Sequence, residues 1–153
     1  MTVRIPLLPP VVRWGLVAGV AAFIFYASIL SPPPETVVDT AQPGFLPLDK
    51  WRHFVAYATL GYALAYATST TWDGRRWRAF VLVVALTSLY GAGIELGQSV
   101  VPDRGFDPGD VVANALGATL VLFWFAIRPR LELTPVSQWI SGSNSTESKG
   151  PSE

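Results

Sequence analysis

Four apolar stretches, Val11–Leu30, Trp51–Thr70, Ala79–Val101 and Asp110–Ile127, set the terms for this chain. Each is close to the ~20 residues that a helix needs to cross the hydrocarbon core of a bilayer. Inside a membrane every backbone N–H and C=O must find a partner within the protein, which leaves helices or closed barrels. Runs of this length without strict alternation choose helices. Half of the 153 residues are hydrophobic and only 14% are charged, too apolar and too charge-poor for an ordinary soluble domain. The expectation is an all-α, four-helix transmembrane bundle. Residues 1–10 form a short leading segment, 11–128 the membrane domain, and 129–153 a largely disordered tail, Ser/Gly/Asn/Thr-rich from Ser141. The first stretch has signal-peptide character, but no A-x-A-like site precedes Ser31 and three more spans follow, so it reads as a retained helix.

The connections give an orientation. Pro32-Pro33-Pro34 stops the first helix, and Pro43-Gly44 and Pro47 keep the following loop irregular. Arg4, Arg13, Arg75, Arg76, Arg78, Arg128 and Arg130 lie on one side, against Lys50, Arg52 and Arg104 on the other. Seven against three places both termini in the cytoplasm of a multi-pass cell-membrane protein. Acidic and basic residues balance at 11 each, so no basic excess points to nucleic acid. The absence of Cys excludes disulfides, thiolate metal sites and a thiol nucleophile.

This topology brings the unusual polar residues together. The second helix begins, the third ends and the fourth begins on the outer side. Asp49, His53, Tyr57 and Gly61 recur every four residues and share one helix face. Glu95 and Gln98 share a face of the third helix, with Glu95 ~9 Å below Val101 at 1.5 Å per residue. Asp110 and Asn114 share a face of the fourth, with Asn114 ~9 Å below Pro108 by the same rise. Gly93, Gly97, Ala113 and Gly117 are small enough to let helices approach. The expected result is a polar pocket open to the outside. Several of its members also have ordinary roles. Asp107 before Pro108 is a good N-cap, Asp110 and Asp49 fit helix starts, and Gln98 and Asn114 suit interhelical hydrogen bonds. Glu95, two turns into a span, needs a cation or a proton.

The pattern Asp49-Lys50-x-x-His53-Phe54-x-x-Tyr57-x-x-Leu60-Gly61, followed by Glu95-x-x-Gln98, Arg104, Asp110 and Asn114-x-x-Gly117, resembles the VanZ-like family of small membrane proteins. The resemblance covers about residues 49–121 and carries over to Asp49, Lys50, His53, Tyr57, Glu95, Gln98, Arg104, Asp110, Asn114 and Gly117. Val121 departs from it, standing where that family often has a second glycine. The resemblance implies a cell-envelope protein of a family associated with low-level resistance to the glycopeptide teicoplanin, and it implies no particular reaction.

Three functions compete on these residues. The first is binding or modification of an anionic envelope component, a lipid headgroup or lipid-linked precursor. Lys50 and Arg104 would be its cationic donors, with Asp49, Tyr57, Gln98 and Asn114 as further contacts. The second is an intramembrane hydrolase or transferase in which His53, Glu95 and Asp110 perform acid–base work. The same set is able to hold a divalent cation, with Glu95, Asp110 and Asn114 as hard ligands and His53 as a softer one. The third, less favoured because the polar residues sit on one side, is a transporter subunit.

Overall fold

The computed structural model describes residues 2–31, 48–71, 76–102 and 104–138. The expected tail from Ser141, most of the first loop, Arg75 and the Asp49 side chain lie outside the described residues. Helices dominate: α1 (Pro10–Phe25), α2 (Leu48–Ala67), α3 (Arg76–Gln98), α4 (Pro108–Thr119) and α5 (Val121–Ile127). α1 continues as a π-helical turn, Tyr26–Leu30, closed by the Ser31 N–H on the Tyr26 carbonyl at 2.9 Å.

Local chemistry explains the helix ends. Pro10 sits where its missing N–H costs nothing, in the first turn of α1. Asp107 is the N-cap of α4, accepting the Gly109 N–H at 2.6 Å, and Pro108 follows at the first helical position. Three helical stretches are long and apolar enough to cross a membrane: Pro10–Leu30, Arg76–Gln98 and Pro108–Arg130. α2, at 20 residues, matches them in length but carries Lys50, Arg52 and His53 in its first turns. It packs against α1, α3 and α4, with Lys50 and His53 half-buried and Arg52 exposed.

The fourth expected span is two helices rather than one. At Leu120 the ladder tightens: its N–H bonds to the Gly117 carbonyl at 3.1 Å, and the Phe123 N–H bonds to its own carbonyl at 3.1 Å. That same carbonyl accepts the Tyr62 hydroxyl at 2.9 Å, an inserted side chain of the kind that breaks a regular ladder. Val121, just after the break, is fully buried beside Ala65 and Val83, so its larger side chain packs closely.

The two ends of the bundle differ from the expectation in one further respect. Val3–Leu7 (β1) and Leu131–Pro135 (β2) form a two-stranded parallel sheet, with Val3 opposite Leu131 and Arg4 opposite Glu132. An Arg4–Glu132 ion pair of 3.2 Å joins them on the surface. The Tyr66 hydroxyl ties this sheet to α2, accepting the Leu8 N–H and donating to the Pro6 carbonyl, both at 2.9 Å. The fold is therefore mostly helical, with a small sheet closing one end.

Close helix packing depends on glycines, though not all of the expected ones. A Cβ at Gly117 would lie 2.2 Å from the Phe54 carbonyl oxygen, so α4 and α2 touch backbone to backbone there. Gly93, expected to line a helix crossing, faces open space instead. Gly91 takes that role, with Tyr57 and Asn114 each 2.9 Å from where its Cβ would be.

Candidate functional site

Polarity in this molecule is turned inside out. Leu89, Leu96 and Phe123 are at least 63% exposed, whereas Glu95, Asn114 and Thr87 are buried to 1% or less. Water would reward the opposite arrangement, and lipid rewards this one.

The buried polar residues gather where α2, α3 and α4 meet. α2 contributes His53 and, one turn deeper, Tyr57, whose rings stack at 6.4 Å and 11°. α3 contributes Glu95 on the same face as Gly91, which keeps the helices close enough for contact. α4 contributes Asp110 and, one turn on, Asn114. The His53 Nδ1 lies 3.0 Å from Asn114 Oδ1 and 3.4 Å from Glu95 Oε1, while Nε2 lies 3.6 Å from Asp110 Oδ2. Donor atoms of His53, Glu95 and Asp110 all fall within 4.8 Å of one another.

These contacts are unevenly satisfied. Both Glu95 oxygens, the Asn114 Nδ2 and the Tyr57 hydroxyl are inaccessible and without a hydrogen-bond partner among the described residues. The Asp107 backbone and the Asn114 amide lie near enough to Glu95 to act on it electrostatically. Neither makes a hydrogen bond of normal geometry to it.

Around this centre the other expected residues are fastened down. Lys50 donates to Asp107 and, at 2.6 Å, to Asp110 Oδ1, clamping the first turn of α2 to the start of α4. Its hydrogen bond, with help from the Gly109 N–H, holds the Asp107 carboxyl below its ordinary value of 3.8. Gln98 donates to the Ser28 carbonyl at 3.2 Å, and Arg104 to the Ser31 carbonyl at 2.8 Å, so both brace the π-helical end of α1. Lys50 thus spends donors on carboxylates, and Gln98 and Arg104 spend theirs on backbone.

Beside the cluster a cavity of about 840 Å³ opens between α1 and α2. One end is polar, lined by Arg52, His53, Gln98, Arg104 and Asp110. The other is lined by Val20, Phe23, Ile24, Val55 and Ala56. Arg52, which in the sequence counted only as one of three cations on the outer side, is part of this wall. Its position one residue before His53 was the available signal.

A mostly helical chain with apolar helices of spanning length, leucines outside and carboxylates inside, is a membrane protein. A family model described as VanZ/LLP1 matches residues 12–128, and the chain belongs to that family. No curated protein and no solved structure matches it.

Proposed function

We propose that this protein binds an anionic amphiphile of the cell envelope, a lipid headgroup or a lipid-linked precursor, in the cleft between α1 and α2. The observation that carries the reading is the two-ended cavity, whose apolar flank continues into a polar end with two arginines. An acyl or prenyl chain suits Val20, Phe23 and Val55, and a phosphate or carboxylate suits Arg52, with the Arg104 Nε, which has no hydrogen-bond partner among the described residues, as a second donor. Arg52 is exposed and replaces the engaged Lys50 as the principal cation for the ligand.

The same reading takes α2 as a fourth span and both termini as cytoplasmic, with residues 11–128 as the membrane domain and the polar end of the cleft facing outwards. Pairing of β1 with β2 supports an even number of crossings, because it brings the segments before α1 and after α5 to one side. Three apolar spans alone would separate them.

Native mass spectrometry of the purified protein tests the binding reading. Arg52→Ala and Thr59→Trp, the second filling the apolar flank, should each reduce retained anionic lipid. Retention equal to wild type in both variants would sink the proposal. A second reading, chemistry on the bound lipid, is favoured by the placement of His53 between Glu95 and Asp110. It predicts a changed lipid or lipid-linked sugar profile in cells carrying His53→Ala, and an unchanged profile would remove it.

A further inference from the structure

We infer that His53, Glu95 and Asp110 form a binding site for one divalent transition-metal ion of the Mn²⁺ or Zn²⁺ type, at the floor of the cleft. The inference takes its location from the pocket and holds whatever ligand the cleft receives.

The starting point is the unmet need of Glu95. Its carboxylate is wholly buried, with no hydrogen-bond partner at either oxygen among the described residues. A buried carboxylate requires a cation, a donor or a proton. The nearest ammonium, Lys50, donates to Asp107 and Asp110. A proton shared between Glu95 and His53 has only the 3.4 Å contact from Nδ1 to Glu95 Oε1 to work through, and Asn114 Oδ1 at 3.0 Å competes for it. Either placement leaves Glu95 Oε2 without a hydrogen-bond partner among the described residues. A metal ion would satisfy it and Asp110 together.

Geometry agrees with charge. Metal–ligand bonds of ~2.1 Å place ligand atoms about 3–4.2 Å apart around one ion. The three donor atoms lie within 4.8 Å of one another, so closing on an ion moves side chains by about half an ångström. The ligands come from three helices, and each is held from behind. Asp110 is oriented by Lys50 through its other oxygen, His53 by stacking on Tyr57, and Glu95 by the close passage of α3 at Gly91. Such outer contacts are what aim a metal site. One imidazole with two carboxylates suits Mn²⁺ or Zn²⁺ better than the all-oxygen cages of Ca²⁺. Three protein ligands leave coordination positions over, and His53 and Asp110 both line the cavity, so those positions open towards it.

The test uses the full chain in detergent, stripped with a chelator, desalted and titrated with MnCl₂. Bound ion is counted by elemental analysis and followed by the Mn²⁺ electron paramagnetic resonance signal. We expect one Mn²⁺ per chain, displaced by Zn²⁺. Glu95→Gln and His53→Ala should each weaken it by at least the roughly 10- to 100-fold that losing an outer-shell partner costs. Gly93→Ala, facing open space outside the cluster, should bind Mn²⁺ as wild type does. Should Glu95→Gln fail to fold, His53→Ala decides. No stoichiometric Mn²⁺ or Zn²⁺ in the wild type, or undiminished binding in His53→Ala, would overturn the site. Lipid retention measured on the metal-stripped protein reports on the binding reading separately.

Discussion

Arg13 and Glu95 are both charged, both buried and both inside helices, yet their surroundings are opposites. Arg13, at 3% exposure, gives its terminal nitrogens to the Tyr66 and Ala67 carbonyls, the Ser69 hydroxyl and the Thr70 hydroxyl, all at 3.1–3.3 Å. The two carbonyls are orphan groups at the end of α2, where a cation also meets the negative end of the helix dipole, and of the guanidinium only Nε is without a hydrogen-bond partner among the described residues. Glu95 has no such set among the described residues, only the 3.4 Å contact with His53. A buried charge with its partners in place is architecture. One without them carries a standing cost in stability.

That contrast is open to breakage. The largest expected effect is Arg13→Ala, which strips four acceptors of a charged donor and should lower stability in detergent by about 3 kcal/mol. Glu95→Gln should leave the thermal midpoint unchanged or raise it, because it removes an uncompensated buried charge. A fall as large as that of Arg13→Ala would make Glu95 a structural member and end the distinction. Next comes Gly117→Ala, where the new Cβ meets backbone and not a movable side chain. It should cost about 2 kcal/mol, while Gly93→Ala, facing open space, should cost nothing measurable. Loss of the cap in Asp107→Ala should cost about 1 kcal/mol by the same unfolding assay. Because the folded protein holds the Asp107 carboxyl below 3.8, its contribution is complete above that pH. It disappears as pH falls through the lower folded value, so the wild-type advantage over Asp107→Asn should vanish only in strong acid. The smallest effect belongs to Tyr57→Phe. Its hydroxyl is buried without a partner, so removal should change stability by less than about 1 kcal/mol.

The sequence was most readable where the signal is local or periodic. Asp107-Pro108 as a helix start, the His53/Tyr57 stripe, and the paired positions Glu95/Gln98 and Asp110/Asn114 all follow from helical phase, and the structure places them in one neighbourhood. Phase also distinguishes Gly91 from Gly93. Residues two apart point to opposite sides of a helix, and Gly91, four before Glu95, was the one on the polar face. What stayed hidden depends on backbone partners far away in the chain. The carbonyls that receive Arg13 and Arg104 have no residue signature, so Arg13 read as a topology marker and Arg104 as a ligand donor, whereas Gln98 makes the interhelical hydrogen bond its position suited. The break at Leu120 has its cause in Tyr62. Strands β1 and β2 each contain a proline and pair across the whole length of the bundle sequence that lies between them.

Parallel strands always need a crossover to join them, and here the crossover is the entire set of helices. This imposes an order on biosynthesis. α1 leaves the ribosome before the helices that follow it, and α2, Tyr90, Gln98 and Arg104 can fasten it as they emerge. The strand in front of it has no strand partner until Leu131–Pro135 has been made. Of these pairings, the one that joins the two flanks of the bundle is therefore the last that synthesis allows.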